Sequence, residues 1–259
     1  MNIAVRIGSR FFTLLLSVLL VSCMVLEKTT PPNADKVVSR RVAAGFEYLQ
    51  MGQPSEARRH ISRALEAEPR SPEAHNAMAL LYNYEGDTER AEQHFRKAIR
   101  YDRTYSLARN NYGALLLSQR KYKDALEQFS SAADDPSYDN RAVAFENKGR
   151  ALMALERYDE ALDAFNTTLR LNSDLAQPLL EVAWIYFIKQ EFRAAQRAYE
   201  AYEGGIDVQS ARGLWLGIQL AAAQQSPDKL ASYELALSKL YPNSPEHREW
   251  RNWVDGGRQ

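Results

Sequence analysis

The chain holds one cysteine, Cys23, so no intrachain disulfide can form, and its four histidines leave little material for a structural zinc site. No sign of charge dominates. Its 33 basic side chains match 33 acidic ones, which argues against a nucleic-acid binder working through bulk positive charge. A permanent membrane span is also missing: residues 11–21 (FFTLLLSVLLV) form an apolar run, but a spanning helix needs roughly 20 apolar residues. The sequence has no glycine-rich phosphate loop, no HExxH and no GxSxG. The histidines are His60, His75, His94 and His247, and only His75 falls at a packing position of the pattern described below. Glu146 and Asp159 read as acids on solvated helices. No catalytic constellation forms, so the expectation is a protein that is not an enzyme and needs no cofactor.

What is present begins with a secretion signal. Arg6 and Arg10 precede the apolar run, which closes on Leu20-Val21-Ser22-Cys23. That order matches the bacterial lipobox, in which the thiol takes a diacylglycerol and cleavage makes the cysteine the new N-terminus. Residues 1–22 are therefore expected to be a lipoprotein signal peptide, with Cys23 the lipidation site. Residue 24 is Met rather than Asp, which favours retention at the outer membrane of a Gram-negative bacterium, facing the periplasm. Residues 23–37 contain Pro31-Pro32 and read as a semi-rigid tether.

Beyond the tether one period organises the chain. Ala57, Ala91 and Ala125 stand 34 residues apart, and Ala161 and Ala195 follow at steps of 36 and 34. A repeat of about 34 residues is the tetratricopeptide (TPR) signature, a helix–turn–helix unit. Within each unit a small residue is expected at position 8, a large one at 11, alanine at 20, an aromatic or aliphatic at 24 and a small one at 27. Gly113, Leu116, Ala125, Phe129 and Ala132 fill these places in one unit, and Gly149, Leu152, Ala161 and Phe165 in another. Positions 20, 24 and 27 share one helical face, and small residues at 8 and 20 let the paired helices approach. The predicted fold class is all-α, a TPR superhelix of about six repeats after a signal peptide and short linker. The TPR domain would run over 38–242, with units at 38–71, 72–105, 106–139, 142–175 and 176–209 and a degenerate sixth at 210–243. A two-residue insertion falls after the third unit, near Asp134-Asp135-Pro136. In the fifth, Tyr202 replaces the small residue at position 27. In the sixth, Ala231 and Leu235 are expected to start the second helix. Residues 243–259 read as a C-terminal tail, with Trp250 and Trp253 packed on the cap.

TPR arrays bind partners mainly on the concave face, lined by first-helix positions 2, 5, 9, 12 and 13. The candidate groove residues are Val42, Phe46, Leu49, Asn76, Leu80, Asn83, Tyr84, Asn110 and Leu117. The lysine-and-asparagine clamp of chaperone-binding TPRs is absent here. A groove this apolar suits an amphipathic helix or extended apolar segment, with the asparagines fixing its orientation.

Several stretches go beyond a generic TPR: Asn110-Asn111-Tyr112-Gly113, Phe145-Glu146-Asn147, residues 211–217 (ARGLWLG), and Leu240-Tyr241-Pro242. With the lipobox, the insertion and the Gly204-Gly205 break, they make the chain resemble the type IV pilus pilotins, the pilus biogenesis and stability lipoproteins. That resemblance implies binding of secretin subunits in the periplasm, with the lipoprotein sorting machinery carrying the complex to the outer membrane where the secretin ring assembles. An alternative from the residues alone is a lipoprotein adaptor for other envelope enzymes, such as peptidoglycan hydrolases.

Overall fold

The computed structural model describes residues 34–257; the predicted signal peptide, Cys23 and most of the predicted tether lie outside it. Among the described residues there are thirteen helices and no strand. They are α1 (Ala34–Gln50), α2 (Pro54–Ala67), α3 (Pro72–Tyr84), α4 (Thr88–Tyr101), α5 (Ser106–Ser118), α6 (Tyr122–Ala133), α7 (Arg141–Ala154), α8 (Tyr158–Leu171), α9 (Ala176–Ile188), α10 (Phe192–Gly204), α11 (Ala211–Ala223), α12 (Pro227–Leu240) and α13 (Pro245–Asp255). The first twelve pair as six antiparallel hairpins, and the first helices α1, α3, α5 and α7 touch in succession, as do α9 and α11. This is the predicted superhelix. Helix α1 begins at Ala34, inside the stretch read as tether.

The helix starts are legible residue by residue. Ser71, Asp87, Ser210 and Ser244 each accept the backbone N–H three residues on, satisfying a donor that the first turn cannot pair. Proline opens α2, α3, α12 and α13, where its missing N–H removes nothing. The turns inside the hairpins share one device. The N–H of Gln53, Asp87, Lys121, Arg157, Glu191 and Ser226 returns to the carbonyl five residues back, which is the long bond of a Schellman motif. The residue before each of these donors is left-handed. Gly52 and Gly86 fill that place in the first two hairpins, but Arg120, Glu156, Gln190 and Gln225 fill it in the others at φ of 55 to 61°.

Inside each hairpin a small residue faces a large one. A Cβ on Gly113 would stand 2.7 Å from the Phe129 ring, and one on Gly149 would stand 2.7 Å from Phe165. Ala57, Ala91, Ala125, Ala161 and Ala195 have no exposed surface, nor do Phe95, Phe129 and Phe165. Each such phenylalanine contributes roughly 1.5–3 kcal/mol by burial.

The irregular places have local explanations. The insertion after the third hairpin is stapled by Asp135, which accepts from Ser106 Oγ (2.6 Å), Ser137 Oγ (2.6 Å) and the Ser137 N–H (2.9 Å). Tyr202, where other units carry a small residue, is accommodated by Gly213 on the next helix. A Cβ there would lie 2.6 Å from the Tyr202 hydroxyl. In the sixth hairpin Ala231 is exposed and Leu235 is 57% exposed. Tyr233 and Leu237 supply the inward contacts, and α12 starts at Pro227 rather than at the Ala231 expected from the sequence. The stretch read as a tail forms helix α13, which packs on α11. As expected, its tryptophans close the end of the stack: Trp253 meets Trp215 edge-on at 5.9 Å, and Trp250 donates to Glu234 at 3.1 Å.

Candidate functional site: the concave face

The nine candidate groove residues do not share one environment. Val42 and Asn110 are each 7% exposed and Asn76 is fully buried. Phe46, Leu49, Leu80 and Leu117 are half-buried, while Asn83 and Tyr84 are exposed. An apolar surface for a partner therefore comes from Phe46 and Leu49 of α1, Leu80 of α3 and Leu117 of α5, with Tyr84 (57% exposed) at the margin.

The asparagines have a different use from the one read in the sequence. Asn111 Nδ2 donates to Asn76 Oδ1, and Asn147 Nδ2 donates to Asn110 Oδ1, each at 3.1 Å. Position 6 of one unit thus bonds position 5 of the unit before it. The amides tie consecutive first helices together rather than orienting a ligand, because position 5 turns toward the next helix in the stack. Asn111 and Asn147 were missed as partners. The sequence signal was available: asparagines recur at consecutive positions in register with the repeat.

At the next junction the ladder changes chemistry. The same two places are Glu146 on α7 and Glu181 on α9. Glu181 is 3% exposed and satisfied by Arg212, whose two terminal nitrogens each lie 2.7 Å from a carboxylate oxygen, and by Gln177 at 3.1 Å. Glu146 is half-buried rather than solvated, which corrects the sequence reading. Burial, with the nearby negative Glu181, pushes its carboxyl above the usual range, while Arg150 pulls the other way. Asp159 is exposed, as expected, and bridges Lys189 at 2.5 Å.

His75 has a structural environment. It is 5% exposed, its Nε2 lies 3.1 Å from the Pro69 carbonyl, and its Nδ1 lies 3.0 Å from Nδ1 of His94. The carbonyl can only accept, so His75 carries its proton on Nε2 and its Nδ1 accepts from His94. Burial holds both imidazoles below the ordinary value; His94 falls to about 4, helped by His75 and Lys97. Among the described residues no group of three or more histidine, cysteine or acidic side chains could hold a metal ion. No helix among them is long and apolar enough to cross a membrane. A cleft beside the insertion gathers Arg103, Ser106, Arg109 and Asp135, but Arg109 is bonded to the Arg103 carbonyl and Gln128, and Asp135 to Ser106 and Ser137.

Comparison with known proteins places this architecture. Tetratricopeptide-repeat family models match residues 42–100, 76–140 and 142–175. The type IV pilus assembly protein PilF of Pseudomonas aeruginosa is 33% identical over 241 residues, covering 92% of this chain and 95% of that protein. A solved structure from the functional characterization of Pseudomonas aeruginosa PilF superposes with a TM-score of 0.78 at 33% identity, covering 85% of this chain and 99% of that one. PilW, described as a widely conserved type IV pilus biogenesis factor, shares the fold at a TM-score of 0.74 and 23% identity, over 82% of this chain and 97% of its own. The chain belongs to the tetratricopeptide-repeat family of type IV pilus assembly proteins that includes PilF.

Proposed function

We propose that this protein is a lipid-anchored scaffold that binds secretin subunits in the periplasm and promotes their localisation and multimerisation in the outer membrane during type IV pilus biogenesis. The observation that carries the reading is the relationship to a pilus assembly protein along nearly the whole of both chains. The first three hairpins offer what such a scaffold needs, a half-buried apolar strip of Phe46, Leu49, Leu80 and Leu117 on rigid helices. An apolar segment laid on these side chains loses water-exposed area without any polar group having to be desolvated.

The anchor would be Cys23. Burying acyl chain contributes ~0.8 kcal/mol per methylene, so two or more chains hold a protein stably at a membrane. The lipoprotein sorting machinery would then carry scaffold and bound subunit together. A strain lacking the protein should contain secretin that is monomeric or misplaced and should lose twitching. Normal heat-resistant secretin multimers in the outer membrane of that strain would count against the proposal. Capture of peptidoglycan hydrolases instead of secretin would favour the adaptor alternative.

A further inference from the structure

His75 on α3 and His94 on α4 present the same ring nitrogen to each other, Nδ1 to Nδ1 at 3.0 Å. That separation suits a shared metal ion. Two histidine nitrogens, each about 2.0–2.1 Å from one ion, stand roughly 2.8–3.4 Å apart when the angle at the metal is about 90–109°. The rings are tilted at 45° with centroids 5.0 Å apart, so a small rotation of each turns the two nitrogens toward a common point.

The surroundings favour the same use. The Nε2–H of His75 is spent on the Pro69 carbonyl at 3.1 Å, which leaves Nδ1 as a bare lone pair. A ligating histidine almost always has its other nitrogen tied in this way, which fixes its tautomer and ring plane. His94 Nε2 has no hydrogen-bond partner among the described residues, so the proton of that ring can sit there and free the second Nδ1. Burial holds both imidazoles below their ordinary pKa, so at neutral pH protons compete little for either lone pair. Tyr101 lies against the His75 ring and Tyr82 against the His94 ring, each with centroids 5.4 Å apart. His75 is 5% exposed and His94 half-buried, which leaves an approach from the His94 side. Lys97 opposes a cation here, since its ammonium acts on both rings.

We propose that His75 and His94 form a two-histidine chelate for a borderline divalent cation, Zn2+ or Cu2+. No third histidine, cysteine or acid joins them among the described residues, so water fills the remaining positions. Imidazole nitrogen suits these ions, whereas Mg2+ and Ca2+ take oxygen ligands. The bound ion staples α3 to α4 and, through the Pro69 carbonyl, to the corner between the first and second hairpins. The second hairpin carries Leu80 and Tyr84, so the ion stiffens one part of the apolar strip. The inference is independent of the lipid anchor and of secretin being the partner.

The test uses the full chain in detergent at about pH 7.5, untagged and first stripped with a chelator. Zn2+ at about ten times its dissociation constant should raise the melting temperature by about 3–6 °C, and Mg2+ should not. Cu2+ should give an electron paramagnetic resonance spectrum with two equatorial nitrogens. His94→Asn keeps a side-chain N–H near the place of Nδ1 but offers the ion no nitrogen lone pair, and it should lose the shift. His60→Asn and His247→Asn should keep it, and Lys97→Met should tighten binding several-fold. No shift with either ion, a spectrum with a single nitrogen, or a shift that survives His94→Asn, which would mean an adventitious ion only, overturns the proposal.

Discussion

Gly113 and Gly149 show how little room single residues leave in this stack. Each faces a fully buried phenylalanine so closely that any side chain must push the ring aside. Gly149→Val should therefore destabilise the protein by about 1–3 kcal/mol, the range for overpacking a tight core, measurable as a lower midpoint in urea unfolding. The His75–His94 pair gives a pH signature. Both pKa values lie below the unfolded value of about 6.5, so between that value and about 4 the unfolded chain binds more protons than the folded one. Their contribution is complete above pH 6.5 and is lost as pH falls toward 4. A loss on the order of 1 kcal/mol is expected across that window, from one or both imidazoles. Thermal unfolding at stepped pH should show it, and His75→Phe combined with His94→Phe should flatten the slope; an unchanged slope would mean that other groups set it. The packing residues were readable in the sequence because burial at a fixed period leaves a compositional trace. The histidine pairing was not, because it depends on two rings 19 residues apart meeting across a hairpin.

At the scale of the element, the recurrent unit is a helix closed by a left-handed residue. Four of the six turns place a side chain at that residue, at Arg120, Glu156, Gln190 and Gln225, where an L-residue costs roughly 1–2 kcal/mol. Replacing Glu156 or Gln190 with glycine should stabilise the protein by about 0.5–1 kcal/mol, since glycine also has more freedom to lose on folding. A fall in the melting temperature would show that those side chains repay their strain elsewhere. The period located the helices well, but not their irregular edges. Helix α13 reads as a tail in the sequence because it belongs to no repeat, and the start of α12 falls at Pro227, ahead of the expected Ala231, because this degenerate unit keeps only part of the pattern and leaves Ala231 and Leu235 facing outward. The concave positions were legible as positions only. Whether an asparagine there meets a ligand or the next helix depends on the superhelical stacking, and Asn111 and Asn147 decide it in favour of the next helix.

For the whole molecule, the six hairpins and the capping helix form a scaffold whose concave face changes character along its length. It is apolar over the first three hairpins, where Phe46, Leu49, Leu80 and Leu117 lie, and carries an aromatic cluster of Trp184, Phe187 and Phe192 at the fifth. Such repeat arrays tolerate a charged substitution on a half-exposed face because each unit leans only on its neighbours. Phe46→Glu or Leu80→Glu should therefore weaken partner binding at least tenfold while leaving the circular-dichroism helix signal intact, by loss of apolar burial of about 1.5–3 kcal/mol. Cys23→Ser should abolish acylation and leave the protein out of the outer membrane, and recovery of that variant there at normal levels would refute the anchor. The most direct test of the secretin-scaffold reading is photocrosslinking in living cells from a reactive residue placed at position 46 or 80, with position 63 on the outer surface as control, followed by identification of the captured protein. The account predicts secretin subunits from positions 46 and 80 and little or none from 63. Equal capture from all three positions, or capture of a different envelope protein from the groove, would contradict it.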